Sequence, residues 1–264
     1  MPRLRSSEIV IVAYFVYVAA IAPFFFHDAW RAWLLAALAA AVAMFVERIG
    51  GHLRDWAPLC ATLVAFKEMN WFARETDHHL EKTWVLWDRT LIVHARPFIE
   101  GIGTPSFLEL CYLLVYAVAP VALWILLANG RRDQANRFWL AYLAGTLGAY
   151  ALFPYFPSQP PRILYAGMDL PALTLLRRLN LFILGNYSIH SSVFPSAHVS
   201  SAFSAAWGLL AAIPRHKHFG WLMLAYACCV SVSTVYGRYH YAADVAAGFA
   251  MSFVPALILR IVKR

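Results

Sequence analysis

The sequence predicts an all-α membrane protein, a polytopic bundle of transmembrane helices. Of its 264 residues, 61% are hydrophobic and 14% are charged, whereas a soluble domain carries about 25% charged residues. The apolar residues fall into runs close to the ~20 residues that cross a bilayer. The net charge of +8 would suggest a nucleic-acid partner in a soluble protein. Here many cations lie in short loops between apolar runs, so we expect a lipid bilayer and no nucleic acid as the partner.

The apolar runs predict about eight spans. They lie at roughly 8–26, 29–47, 55–72, 106–128, 138–156, 196–213, 220–238 and 242–261. No small-residue cleavage site follows the first run, so we interpret it as an uncleaved span rather than a signal peptide. The third run is ambiguous because Lys67 and Glu68 interrupt it. It either crosses the membrane or lies in its plane, which would leave seven spans.

Residues 74–100 have a different pattern. Aromatic and aliphatic residues alternate with charged ones at helical spacing, as in Trp84, Trp87, Asp88 and Arg96. This predicts an amphipathic helix lying in the membrane interface. We expect one domain over 1–264, in which 1–104 holds the N-terminal spans and the interfacial helix, and 105–264 a helix bundle with the candidate catalytic residues. After 156 we expect a long loop to about Val193, in which Arg177 either contacts lipid headgroups or is solvated.

The positions of the basic loops predict the orientation. Loops 129–137 and 214–218 and the C-terminus are basic, so they should be cytoplasmic. Loops 157–195 and 238–243 are then extracytoplasmic. The basic N-terminus and the loop near Arg54 are also cytoplasmic only if 55–72 crosses. We therefore expect eight spans in the plasma (inner) membrane, with both termini cytoplasmic.

Three polar clusters fall at the extracytoplasmic ends of these spans. Phe194-Pro-Ser-Ala-His198 marks the start of a helix, where backbone N–H groups and the helix dipole favour an anion. An even number of crossings separates it from the other two clusters, so all three can meet. Ionisable residues at membrane depth are costly and usually functional. The candidates are Arg162, Ser196, His198, Arg238, His240 and Asp244.

These residue types suit phosphoryl transfer through a phosphohistidine. His240 and Asp244 are four residues apart, so a helix would place the carboxylate where it orients the imidazole. His240 can then attack phosphorus and His198 can protonate the leaving oxygen. Arg162, Arg238 and Ser196 would hold the phosphate oxygens. The scheme needs no metal or other cofactor.

The two histidine clusters resemble the second and third motifs of the type-2 phosphatidic acid phosphatase superfamily. Residues 155–162 and 234–244 resemble the branch that contains the inositol phosphorylceramide synthases. The resemblance covers roughly 105–262. It implies an integral-membrane lipid phosphatase or phosphotransferase that needs no metal. It also implies that His240 is the nucleophile, Asp244 its partner and His198 the general acid, with Ser196 and Arg162 as phosphate ligands.

The resemblance has two departures. Tyr155 stands where the first motif has a basic residue, and no proline follows Arg162. A closer literal match ends at Arg96-Pro97, so Arg96 remains the alternative phosphate arginine. The third motif's Ser-Arg pair is replaced by Ser233-Thr234, and we expect Arg238 to substitute.

We expect the substrate to be a phosphorylated membrane lipid whose identity the sequence does not give. Water would resolve the intermediate in a phosphatase, and a lipid or sugar hydroxyl in a phosphotransferase. A catalytically degenerate lipid-binding or transport protein is the non-enzyme alternative. The sequence makes no prediction of oligomeric state.

Overall fold

The computed structural model describes residues 4–74, 78–101, 105–189 and 193–261. Over these ranges the chain is helical and contains no strand, which confirms the all-α prediction. The α-helices are α1 (Ser6–Ile21), α2 (Trp30–Ile49), α3 (Gly51–Glu68), α4 (His79–Gly101), α5 (Pro105–Leu113), α6 (Val118–Ala128), α7 (Ala135–Leu152), α8 (Pro161–Leu164), α9 (Leu175–Tyr187), α10 (Ala197–Ala212), α11 (Lys217–Tyr236), α12 (Ala242–Met251) and α13 (Phe253–Ile261).

Five helical segments in the described ranges are long and apolar enough to cross a membrane, so the chain is an integral membrane protein. They are Ser6–Phe24, Trp30–Arg48, Pro105–Ala128, Pro214–Tyr236 and Ala242–Arg260. Helices α3, α7 and α10 occupy the other predicted positions but do not meet this criterion. Helix α10 has 16 residues, and both α7 and α10 are largely buried in the protein. The count of eight spans therefore stays a prediction.

Helix α10 lies at the centre of the bundle, packed against α7 and α11. The approach of α7 depends on Gly145, where an added Cβ would lie 2.0 Å from the Ser204 Oγ. Hydroxyl groups of α10 bond across the contact: the Ser200 Oγ donates to the Gly145 carbonyl (2.9 Å), and Ser201 shares a hydrogen bond with Thr146 (2.8 Å). Small and hydroxyl residues thus allow these two backbones to pack closely.

At one end of the bundle, buried Asp55 ties three helices together. Its carboxylate pairs with Arg5 (2.8 Å) and Arg132 (2.5 Å). Its backbone carbonyl accepts a hydrogen bond from the Trp139 indole (2.7 Å). The beginnings of α1, α3 and α7 therefore meet at this basic end.

The far ends of the same three helices also meet. Phe72, just after α3, packs edge-on against Phe25, just after α1, with ring centroids 5.5 Å apart. Arg74 donates to the carbonyl of Pro154, beyond α7 (3.3 Å). Helix α3 therefore extends from one end of the bundle to the other, alongside α1 and α7.

The predicted interfacial helix is α4, and its acidic side chains lie on the face that packs against the protein. Glu81 and Asp88 are 1% and 0% exposed and lie on the face that packs against the bundle. Leu86, Trp87 and Leu91 are exposed on the other face. In lipid this is the favourable arrangement, because apolar groups meet the bilayer while the carboxylates find polar partners in the protein.

The segment expected to be a long loop contains a second helix of this kind, α9, so that expectation was wrong. Arg177 and Asn180 are buried, whereas Leu175 and Phe182 are exposed. Helices α4 and α9 thus both present apolar residues outward near the end of the bundle that holds the predicted site residues.

Candidate active site

Three of the predicted site residues form one hydrogen-bonded row. The Nδ1 of His240 lies 3.2 Å from Asp244 Oδ2, and its Nε2 lies 3.3 Å from the Nδ1 of His198. With Asp244 Oδ2 as the hydrogen-bond acceptor, the proton of the neutral His240 ring lies on Nδ1. Its Nε2 then carries a lone pair, which can accept a hydrogen bond from His198 when the His198 Nδ1 is protonated. The row therefore contains a free imidazole nitrogen beside a group that can donate a proton.

Backbone contacts join the elements that carry this row. The Ser196 backbone N–H donates to the carbonyl of Asp244 (2.9 Å), which links the start of α10 to α12. The hydroxyl of Ser196 caps α10 by accepting from the Val199 N–H (3.4 Å). A Cβ at Gly248 would lie 2.4 Å from the Ser196 carbonyl oxygen. Glycine there allows α12 to approach the start of α10, which brings His198 to 3.3 Å from His240.

The turn after α11 positions His240. The Thr234 carbonyl accepts from the N–H groups of both Tyr239 (2.9 Å) and His240 (3.1 Å). The Tyr241 N–H then donates to Asp244 Oδ2 (2.8 Å) at the start of α12. Asp244 is therefore both a helix cap and the partner of the imidazole.

An aromatic wall, made of Tyr112, Tyr116 and Tyr239, encloses the His198 side of the row. The Tyr112 ring stacks on Tyr239 (3.9 Å between centroids) and on His198 (5.2 Å). The edge of Tyr116 meets His198 at 5.7 Å. The residues predicted from the sequence do not include these three tyrosines. The signal was the pair of tyrosines one helical turn apart, on a span whose start lies at the same membrane face as the histidines.

Arg162 lies close to both histidines. It is half-buried, and its guanidinium sits over the Tyr239 ring at 5.8 Å. Burial, and then the positive charge of Arg162, lower the pKa of His240 to about 3. The alternative, Arg96, lies on α4 and donates to the Leu170 carbonyl (3.0 Å). Of the two candidate phosphate arginines, Arg162 is the one whose charge acts on the His240 imidazole.

Arg238 lies beside Arg162, whose backbone N–H donates to the Arg238 carbonyl (3.0 Å), but its side chain forms an ion pair with α4. It is 0% exposed, and its Nη1 pairs with Asp88 Oδ2 on α4 (3.3 Å). The other oxygen of Asp88 accepts the N–H of Ala242 at the start of α12 (2.9 Å). Arg238 adopts a φ of 62°, in the left-handed region that is uncommon for residues with a side chain. The geometry makes this ion pair a brace between α4 and α12.

A second buried ion pair holds α9 in place. Glu109 pairs with Arg177 Nη1 (2.9 Å) and accepts from the Asn180 amide (2.7 Å) and the Tyr239 hydroxyl (2.6 Å). Arg177 also donates to the Gly237 carbonyl (3.1 Å). We had expected Arg177 either to be solvated or to contact lipid headgroups. Both expectations were wrong, because Arg177 is buried and paired with Glu109. It anchors α9 to α5 and to the turn that carries His240.

Comparison with known proteins identifies the family. No curated protein sequence and no solved structure matches the chain. A sequence model of the PAP2 superfamily matches residues 78–258, which is more than half of the chain. The match contains the whole histidine row and extends through α4, further toward the N-terminus than the resemblance in the motifs. Proteins of this superfamily are generally phosphatases and phosphotransferases. The chain belongs to the PAP2 superfamily.

Proposed function

We propose that this protein is a membrane enzyme that removes or transfers the phosphate of a phosphorylated lipid. One observation carries the proposal: the His240 imidazole is held between Asp244 and His198, with its Nδ1 at 3.2 Å from the Asp244 Oδ2 and its Nε2 at 3.3 Å from the His198 Nδ1. Superfamily membership and the integral-membrane fold support the same class of reaction.

The first chemical step forms a phosphohistidine. The His240 Nε2 attacks phosphorus while the bond from phosphorus to the lipid oxygen breaks. His198, which acts as the imidazolium beside the bound anionic phosphate, gives a proton to that oxygen, releases the lipid alcohol and is left as a neutral imidazole. Asp244 keeps the Nδ1 proton of His240 in place and stabilises the positive charge that forms on the ring.

The second step resolves the intermediate. A water molecule gives a proton to His198, and its oxygen attacks phosphorus as the bond to Nε2 breaks. Inorganic phosphate leaves, and both imidazoles return to their starting protonation states. Arg162 and the free N–H groups in the first turn of α10, which Ser196 caps, would hold the phosphate oxygens in both steps.

A phosphotransferase is the second candidate. An acceptor hydroxyl then replaces water in the second step and receives the phosphate or phospho-headgroup. The favouring observation is the resemblance of residues 155–162 and 234–244 to the inositol phosphorylceramide synthase branch. Labelled lipid phosphate offered with candidate acceptors distinguishes the two, because the label ends either on an acceptor or in free phosphate.

We place the site at the extracytoplasmic face of the plasma membrane. The supporting observation is the distribution of cations: Arg5, Arg54 and Arg132 cluster at the end of the bundle opposite the histidine row. The path of α3 from one end to the other favours eight crossings over seven. Both termini would then be cytoplasmic.

The decisive experiment is His240→Ala in the purified protein, screened against phospholipids and prenyl phosphates. We expect phosphate release to fall by about 10³-fold or more, because the nucleophile is lost. His94→Ala, on the exposed part of α4, is the matched control and should keep full activity. Full activity of folded His240→Ala would refute the mechanism. Lipid binding or flipping that survives loss of both histidines, without turnover in the wild type, would favour the non-enzyme alternative.

A further inference from the structure

Arg162 lines a cleft that is open to the protein surface. The cleft lies between the segment 162–173 and α9 and has a volume of about 500 Å³, within the usual range for ligand pockets. Its walls are mostly apolar side chains, among them Ile163, Leu170, Leu181 and Leu184. Gly185 and Ser188 also line it.

We propose that this cleft binds the hydrocarbon chain of the substrate lipid, with the lipid's phosphate at Arg162 and His240. The proposal rests on the proposed function and adds the place of the chain. A water-soluble phosphoester could use the histidine row but would leave the cleft walls in contact with water.

The position of Arg162 is the first argument. The same side chain lines the cleft and places its positive charge near His198 and His240. A single molecule with an anionic end and an apolar body could therefore place its anion at Arg162 and the histidines and its apolar part in the cleft. A fully apolar occupant would leave the guanidinium without an anion, and burying an unpaired charge is costly.

The outer surface of the cleft is the second argument. Leu175 and Phe182 of α9 and Leu173 of the facing segment are all exposed. They continue the apolar walls outward to where the bilayer would lie. A hydrocarbon chain can then pass from the membrane into the cleft without crossing water, which follows from the cost of exposing apolar surface.

The anchoring of α9 is the third argument. The ion pair between Arg177 and Glu109 is almost completely buried, and Asn180 bonds to the same carboxylate. The helix is therefore a fixed wall, so the cleft is present before the lipid binds. A second cavity of about 280 Å³ lies between α4, α11 and α12, but neither Arg162 nor the histidine row lines it.

The test fills the cleft with a side chain. Gly185 lines it, and a Cβ added there would meet nothing within 4 Å. Gly185→Trp should lower kcat/KM for dipalmitoyl phosphatidate by about tenfold or more, because apolar contacts to the chain are lost. Turnover of p-nitrophenyl phosphate should stay unchanged. Leu86→Trp, on the exposed face of α4, is the control and should affect neither substrate.

Two results would overturn the proposal. One is a Gly185→Trp variant that cleaves dipalmitoyl phosphatidate as the wild type does. The other is an equal loss on both substrates, which would mean that the tryptophan disturbs the phosphate site and not a chain site.

A second readout does not need turnover. Phosphatidate with a diazirine on its acyl chain should label segment 163–188 in the wild type and in His240→Ala, and much less in Gly185→Trp. Absence of labelling in that segment would overturn the cleft. Labelling without any turnover by the wild type would refute the proposed function and still support the cleft.

Discussion

Removing the Asp88 carboxylate tests the brace between α4 and α12. In Asp88→Ala the Arg238 guanidinium, 0% exposed, loses its counterion. Breaking a buried ion pair from one side costs about 3–5 kcal/mol. The Ala242 N–H also loses its acceptor, and an unsatisfied buried donor costs about 1–3 kcal/mol. These costs overlap, so we expect the free energy of unfolding to fall by about 4 kcal/mol or more.

The second substitution makes this a double-mutant cycle. Adding Arg238→Met to Asp88→Ala removes the uncompensated charge and should restore all but about 1–2 kcal/mol. Asp88→Asn is the control that keeps an acceptor for the Ala242 N–H. Stability is measured by SDS-driven unfolding in mixed micelles, together with kcat and KM. If Arg238→Met alone leaves stability unchanged but abolishes activity, Arg238 binds substrate phosphate and the brace is the wrong explanation.

Three further substitutions test other contacts. Arg162→Gln removes a positive charge that lowers the pKa of His240, so that pKa should rise and the acid limb of the kcat/KM profile should move to higher pH; an unmoved limb would contradict this. Gly248→Ala places a Cβ 2.4 Å from the Ser196 carbonyl oxygen, so unfolding in SDS should become easier by about 1–3 kcal/mol, and unchanged stability would show that α10 and α12 can separate freely. Glu109→Gln leaves a buried cation without its counterion, so α9 should exchange its amide hydrogens faster than in the wild type, whereas equal exchange would show that the ion pair does not hold it.

The histidine row can be predicted from the sequence because each part has a local signal. His240 and Asp244 are four residues apart at a helix start, and Ser196 and His198 begin another helix. Parity of the membrane crossings places both starts at one face. What the spacing does not give is the geometry, in which the two imidazoles bond directly at 3.3 Å.

The supporting ion pairs cannot be predicted in this way, because their partners are far apart in the chain. Asp88 and Arg238 are 150 residues apart, and Glu109 and Arg177 are 68 apart. Each charged residue alone resembles a solvated or headgroup-facing side chain. Only tertiary packing shows that these four are enclosed by protein.

Helix α9 was missed for a related reason. In a soluble protein, buried apolar positions reveal a helix, but here the buried positions include Arg177 and Asn180. The rule that polar residues face outward is inverted at a lipid surface. Segments with mixed polarity beside membrane spans should therefore be examined for both orientations.

The hydrogen bond between His198 and His240 occupies the position that the substrate needs. A phosphorus atom must lie next to the His240 Nε2, and the His198 Nδ1 now lies 3.3 Å from that atom. Each substrate molecule must therefore displace the His198 imidazole from the His240 Nε2 before reaction. A small anion, which contributes only its charge, gains little binding free energy to offset this displacement. Selectivity can arise at this exchange, because groups bound elsewhere on the substrate must supply the free energy that separates the two rings.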